Sequence, residues 1–308
     1  MPELPEVQTT VTGLSRTIVG LKIDDVWTDY NSPYFKGSNT IKDPLYFKYF
    51  KKAVLNRKVV GVSRRAKNIL INLDSGATLL IHMKMTGHVI IGNYNFNKKI
   101  WTPAPNERKA LHDPFNRFIH FVITFSNNKQ LVLCDMRKFA KVTLIENDAM
   151  EQLHKEFGPE PLNKDFTIIL FKKQLSKKPH GKIKTVLMDQ SIISGVGNIY
   201  SDEALFRSGI HPEERVENIS DKKMLELYKA TVRVLKKGID FGGDSMSDYR
   251  NVNGEKGKFQ EQHEVYRKTG LPCSIKINGK ICKGIVQRKK VGGRSAHFCS
   301  VHQLSSKR

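Results

Sequence analysis

Cysteines, acidic side chains and long apolar runs are what this sequence has least of. Only four cysteines occur in 308 residues, too few for a disulfide framework to organise the chain, least of all in a reducing compartment. No run of about 18 or more apolar residues is present, which removes any candidate membrane-spanning helix. The start of the chain lacks the basic-then-apolar order of a secretory signal, so a cytoplasmic protein is expected. Acidic residues are outnumbered, 30 Asp and Glu against 52 Lys and Arg, for a net charge of +22. Such a surplus calls for a polyanionic partner. Nucleic acid is the simplest one, because each phosphate contact releases a counterion, and an anionic membrane surface is the competitor. At 39% hydrophobic residues the chain can still bury ordinary cores, and its length fits about two domains.

What is present is patterned. Leu4, Val7, Val11, Leu14 and Ile18 recur at intervals of three and four, which predicts an amphipathic helix over 2–18. Glu3 and Glu6 fall in its first turn, where the helix dipole favours negative charge. From about 20 to 150, short apolar or alternating runs broken at DSG and SNN predict a β-rich domain of sandwich type. The polar, proline-containing stretch between Ile90 and Ile119 reads as a long loop insertion. EFGPEPLNKDF at 156–166 marks a boundary, and helical segments follow between 167 and 240. The stretch from Phe241 to Lys268 is glycine-rich and polar, hence expected to be mobile. The remainder predicts short strands, with a hairpin signal at Asn278-Gly279.

Three of the four cysteines cluster at the end in the order C-x8-C-x16-C-x2-H, from Cys273, Cys282, Cys299 and His302. Three thiolates and one imidazole make a tetrahedral, closed, structural zinc site, with His297 a rival for the fourth position. The metal would brace a hairpin carrying Arg288, Lys289, Lys290 and Arg294, well suited to a phosphate backbone. Cys134, alone in LVLCDM, reads as a buried core thiol. Upstream, SGVGNIYSDEALF places Gly195 and Gly197 just before a helix starting near Asn198. Glycines let backbone N–H groups converge, and the helix start adds its dipole, so this turn can hold an anion.

These motifs occur in a familiar order: MPELPEV at the start, RRAKN at 64–68, HMKMTG at 82–87, DMRKFAK at 135–141, GPEPL at 158–162, SGVGNIYSDE at 194–203 and RSAHFC at 294–299. The chain resembles bacterial formamidopyrimidine-DNA glycosylases, the helix–two-turn–helix class of base-excision repair enzymes. The resemblance covers nearly the whole chain. It implies an α+β protein: an N-terminal catalytic β-sandwich with a leading helix (1–155), a linker (156–165), a helix–two-turn–helix domain with a lesion-recognition loop (166–268) and a zinc β-hairpin (269–308). Duplex DNA containing oxidised bases or abasic sites is the implied partner, lying between the halves, and a monomer suffices.

The resemblance also gives the opening stretch a chemical meaning. Loss of Met1 would make Pro2 an N-terminal secondary amine with a pKa of about 8, able to attack C1′ of the damaged nucleotide and expel the base. The iminium ion formed keeps its charge without a proton and acts as an electron sink for β- and then δ-elimination. Glu3 is implied as the acid/base group and Glu6 as a support for the amine. Lys67 is implied to hold phosphate near the lesion. Met85, Arg137 and Phe139 would enter the duplex, Arg137 on the orphaned cytosine and the apolar pair as wedges. Asn198 and Arg294 would clamp phosphates, and Lys184 would lie near the lesion strand. The 241–262 segment takes the place of the loop closing over the everted base.

Departures from the family pattern are His302 for the last thiolate, the long gap between Cys273 and Cys282, Ala140 for a glycine, Phe118 for a histidine, and Gly293 for a glutamine. Two other readings stand beside the oxidised-purine glycosylase/lyase. One is an endonuclease VIII-like enzyme for oxidised pyrimidines, against which Leu4 and the Met85/Arg137/Phe139 set argue. The other is a catalytically silent zinc-containing DNA-binding protein, against which the intact Pro2-Glu3 opening argues.

Overall fold

Helix α1 (Leu4–Thr17) starts at the first residue of the apolar series, with Glu3 as its N-cap. A capping box closes that end: the Glu3 carboxylate accepts the Glu6 N–H, and Glu6 Oε2 accepts the Glu3 N–H at 2.7 Å. Two of the four unpaired N–H groups of the helix start are thereby satisfied. Leu4, Val7, Val11, Leu14 and Ile18 are all buried, as the spacing predicts.

The computed structural model describes residues 1–246, 248–277 and 279–304; Asn278, of the expected hairpin turn, lies outside them. The chain forms two compact units, Met1–His154 with Phe241–Gln260, and Lys155–Asp240 with Glu261–Arg308.

In the first unit two four-stranded antiparallel sheets enclose the core. One is ordered β1 (Ile23–Thr28), β8 (Ile119–Phe125), β9 (Gln130–Cys134), β5 (His88–Gly92). The other is β10 (Lys141–Ile145), β4 (Thr78–His82), β3 (Asn68–Leu73), β2 (Val59–Arg65). Alternate residues point inward: Ile69, Ile71 and Leu73; Leu79 and Ile81; Phe121, Ile123 and Phe125; Leu131 and Leu133, joined by the apolar face of α1. This is the sandwich with a leading helix that the sequence predicts.

Two parts of this unit depart from expectation. Residues 33–54 are not strand-like: a 3-10 turn at Pro33–Phe35 leads to helix α2 (Pro44–Val54), capped by Asp43, whose carboxylate accepts the Leu45 N–H at 2.8 Å. The stretch expected to be a loop insertion contains a hairpin, β6 (Tyr94–Asn97) and β7 (Ile100–Pro103), followed by 3-10 turns at Lys109–His112 and Pro114–Arg117. It covers the outer face of the first sheet, where Ile90, Val122, Val132 and Cys134 pack with Tyr94 and Leu111. Strands β5 and β9 are buried on both faces for this reason.

Burial has a consequence for pH. His88 is buried, with Nε2 2.8 Å from Asn116 Oδ1, and burial pushes its pKa down to about 4. The unfolded chain takes up this proton near the ordinary pKa, the folded one does not. Stability should therefore be untouched above about pH 6.5 and fall by up to about 1.4 kcal/mol per unit between there and about pH 4. Urea midpoints across this range would show it, and His88→Asn should flatten the slope.

The second unit holds helices α4 (Ile168–Leu175), α5 (Ile183–Met188), α6 (Asn198–Ser208) and α7 (Asp221–Asp240), the short strands β11 (Lys276–Ile277) and β12 (Lys280–Ile281), and the hairpin β13 (Val286–Val291) and β14 (Arg294–Cys299). Helix α3 (Asn147–Glu156) spans the division. Helix α6 begins at Asn198 after Gly197, as the GVGN motif predicts, and packs on α7 so closely that a Cβ at Gly238 would fall 2.5 Å from the Tyr200 ring.

Candidate active site and metal centre

Pro2, Glu3 and Glu6 are all buried at the start of α1. Both oxygens of Glu6 are engaged by the backbone: Oε2 by Glu3 N, and Oε1 by Asp244 N at 2.7 Å. One side chain thus joins the residues next to Pro2 to the 241–260 segment. Tyr249 adds a second link, its hydroxyl donating to the Glu6 carbonyl at 3.0 Å. The segment expected to be mobile is held here against the first unit, and Gly243 sits so near Glu6 that a Cβ would lie 2.9 Å from its Cγ.

Lys67 lies in the two-residue turn between β2 and β3, buried. His82, in the same sheet, is pushed down to about 3 by burial and then by the nearby Lys84 and Lys67 ammonium groups. It is neutral at physiological pH, with Nδ1 accepting the Lys84 N–H at 2.9 Å.

Met85, Arg137 and Phe139 come together on the surface. Arg137 NH1 is 3.5 Å from the Met85 sulfur, and its guanidinium stacks 4.5 Å from the Phe139 ring centre. Met85 is 41% and Phe139 47% exposed, which excludes core packing as the reason for either. The residue before each of Lys67, Met85 and Phe139 (Ala66, Lys84 and Lys138) has a positive φ of 53–56°. Such backbone in non-glycine residues collects at functional turns.

Sequence reasoning passed over the residue that joins two of these turns. Asp135 is fully buried; Oδ1 accepts the Thr86 hydroxyl, while Oδ2 accepts Tyr30 OH at 3.0 Å and Ala140 N–H at 2.7 Å. Burial, then the Asp135 charge, push Tyr30 well above the ordinary tyrosine pKa, so it remains a donor. An acidic residue ending the apolar run LVLCD was the available signal. Gly87 closes the Met85 turn, where a Cβ would meet the Met83 carbonyl oxygen at 2.3 Å.

In the second unit, Asn198 lines a cleft of about 420 Å³ with Tyr266, Arg267, Arg288 and His297. Its Oδ1 is buried with no hydrogen-bond partner among the described residues. Arg294 is exposed at the hairpin turn, outside this cleft. The turn itself is Gly292-Gly293, with φ of 53° and 78°, so Gly293 holds a left-handed position where side chains are strained.

Lys184 does not fit a direct contact with the lesion strand. It is fully buried, with Nζ donating to Asp202 at 2.6 Å, Ser201 at 3.1 Å and the Asn198 carbonyl at 3.2 Å. The other Asp202 oxygen accepts the His297 N–H at 3.0 Å and faces its Nδ1 at 2.9 Å. Lys184 therefore braces α6 and the hairpin from within. Lys184→Met should cost about 3–5 kcal/mol by stranding Asp202, read as a lowered melting temperature. A surface phosphate contact would instead weaken DNA binding and reduce its salt dependence with stability intact.

Cys273, Cys282, Cys299 and His302 form a cluster that could hold a metal ion, their ligand atoms all within 4.8 Å of one another. His302 Nε2 lies 2.9 Å from the Phe206 carbonyl and donates to it, which leaves Nδ1 as the lone-pair nitrogen facing the thiols. The rival His297 is turned to Asp202 instead.

Residues 1–142 match the formamidopyrimidine-DNA glycosylase N-terminal domain and residues 157–250 the formamidopyrimidine-DNA glycosylase H2TH domain. The formamidopyrimidine-DNA glycosylase of Pelotomaculum thermopropionicum is 36% identical over 305 residues, covering 98% of this chain and 99% of its own. The chain belongs to the formamidopyrimidine-DNA glycosylase family. The Bacillus subtilis enzyme of that name is 33% identical over 97% of this chain and 98% of its own. Among solved structures, the Lactococcus lactis Fpg bound to DNA containing an abasic site superposes with a TM-score of 0.80 at 32% identity, over 98% of this chain and 99% of that one. A Lactococcus lactis Fpg mutant bound to Fapy-dG-containing DNA gives 0.80 and 32%, over 98% and 100%. Among the described residues no helix is long and apolar enough to cross a membrane.

Proposed function

We propose that this chain excises oxidised purines, 8-oxoguanine and formamidopyrimidines, from duplex DNA in base excision repair and cleaves the abasic site that results. Near-full-length similarity to formamidopyrimidine-DNA glycosylases carries the reading. Pro2 is the nucleophile. Once Met1 is gone, its nitrogen changes from an amide to a secondary amine, which bonds to C1′ as the base departs with the bonding electron pair. Glu3 protonates the ring oxygen as the sugar opens to the iminium ion. The iminium then accepts the electrons of the C2′–H bond, the proton passing to the Glu3 carboxylate as the 3′ phosphate leaves; loss of the C4′ proton to the same base, once it has given up the first, expels the 5′ phosphate. Glu6, already bonded to Glu3 N–H, keeps the Pro2-Glu3 backbone in place.

Lys67, Asn198 and Arg294 bind phosphates, and Arg137 with Met85 and Phe139 occupies the gap left by the everted base. Lys184 acts through α6 rather than on the DNA. One structural zinc completes the second unit. Tetrahedral Zn–S bonds of about 2.3 Å place sulfurs about 3.8 Å apart, and Cys282 and Cys299 are separated by 3.7 Å. The donor set of three thiols and a pre-oriented imidazole fits it. Bound there, zinc would hold the hairpin and take no part in the chemistry.

Borohydride trapping on duplexes carrying 8-oxoguanine or thymine glycol is the test. A covalent complex with the 8-oxoguanine duplex supports the reading. Preference for thymine glycol would move the chain to the pyrimidine branch, and no adduct with either would leave a DNA-binding protein without catalysis.

A further inference from the structure

Arg250 is among the largest fully buried side chains of the protein, and nothing in the proposed chemistry uses it. Its guanidinium is matched to Asp113 in the segment that covers the first sheet: NH2 lies 3.3 Å from Oδ1 and 3.2 Å from Oδ2, and Nε 3.3 Å from Oδ2. NH1 donates to the Tyr249 carbonyl at 2.8 Å, and the Phe115 ring lies 4.9 Å beneath. The same segment takes hold of the following residues. Ile91 N–H donates to the Val252 carbonyl at 2.9 Å, and Arg108 Nε to the Asn253 carbonyl at 3.1 Å. Gly254 has Ala110 so close that a Cβ would sit 2.9 Å from its carbonyl oxygen.

These contacts are continuous with the start of α1. Tyr249, whose carbonyl Arg250 holds, also accepts the Ser245 hydroxyl at 2.8 Å and reaches the Glu6 carbonyl with its own hydroxyl. Ser245 Oγ in turn accepts the Gly257 N–H at 2.8 Å, and Asp244 N–H is on Glu6. A buried guanidinium with its carboxylate removed is a heavy cost, so the pair resists opening. Glu6, by contrast, is held on Glu3 by the capping box whatever the segment does.

We propose that Arg250 and Asp113 are positioning residues: their ion pair, acting through Tyr249, fixes Asp244, Ser245 and Tyr249 beside the Pro2 end of α1 in the arrangement that receives the damaged base. The proposal rests on the glycosylase reading above. It predicts that the clasp serves base removal and not the subsequent chemistry on an abasic sugar, which presents no base to be received.

Asp113→Asn and Arg250→Lys test it. Asp113→Asn is the milder, because Asn can still accept the Phe115 N–H that Asp113 accepts at 2.9 Å. Single-turnover excision from an 8-oxoguanine duplex should fall at least about tenfold, equivalent to about 1.4 kcal/mol. Strand cleavage at a pre-formed abasic site should stay within about twofold of the unaltered protein, with melting temperatures recorded alongside. Parallel loss of both activities would reduce the pair to a structural brace, and retention of both would remove its role altogether; either overturns the proposal. Failure of the unaltered protein on both substrates would instead overturn the glycosylase reading.

Discussion

Pro2→Gly should abolish the borohydride-trapped complex or cut its rate of formation at least about a hundredfold, a barrier increase of about 2.7 kcal/mol. The variant keeps an α-amino group, but a primary one. Its imine is charged only while protonated, whereas the secondary amine of proline gives an iminium with a permanent charge. The elimination steps need that charge as their electron sink, so cleavage at an abasic site should fall with base excision. Folding should survive, because the start of α1 is secured by Glu3 and Glu6 rather than by residue 2. DNA affinity should survive as well, since the exposed cations and the wedge residues are untouched. A second protein, blocked at its N-terminus by a retained tag, should bind lesion duplex and trap nothing. Full trapping by either would remove Pro2 from the reaction.

The same opening stretch shows how far sequence can carry such a reading. MPELPEV can be explained by helix-start chemistry or by a reactive terminus; the structure shows the first, and the second is the proposal that Pro2→Gly tests. Glu3 and Glu6 are the capping box, and Pro2 is buried next to it. Period was sufficient for α1, whose apolar series lies on one buried face, and short apolar runs were sufficient to expect the strands of the sandwich and the helical segments α4 to α7. The polar composition of 91–118 conceals a hairpin and a 3-10 turn whose few apolar residues, Tyr94 in the first and Leu111 in the second, cover a sheet already buried on its other side. Helix α2 was hidden by its aromatics, which resemble strand composition.

Candidate residues divide in the same way. Met85, Arg137 and Phe139 were legible through motif, and their juxtaposition at the surface follows from Asp135, which motif reading quoted but did not weigh. Lys184 was placed near the lesion strand by motif alone, and motif gives no sign of the buried carboxylate that it faces. Asp202 lies 18 residues away along the chain, and no local pattern joins the two. The Arg250–Asp113 pair spans 137 residues and was likewise beyond reach of a linear reading.

Cys299→Ser should reduce bound zinc from about one per chain to near none and weaken DNA binding at least about tenfold. Cys299 ends β14, and with Cys273 and Cys282 it forms part of an apolar cluster with Phe206, Val265 and Val286. This cluster is small, so metal ligation contributes much of what holds the hairpin together. Without it, Arg288 and Arg294 lose their fixed placement while keeping their charge. The slope of log affinity against log salt should then shrink by roughly one to two, as phosphate contacts are lost. His302→Asn should have the same effect, whereas His297→Asn should retain the metal, because its Nδ1 is committed to Asp202. Elemental analysis of the three variants separates the ligands. Zinc lost from His297→Asn and kept by His302→Asn would reverse the assignment of the fourth ligand, and zinc kept by Cys299→Ser would end the case for this centre.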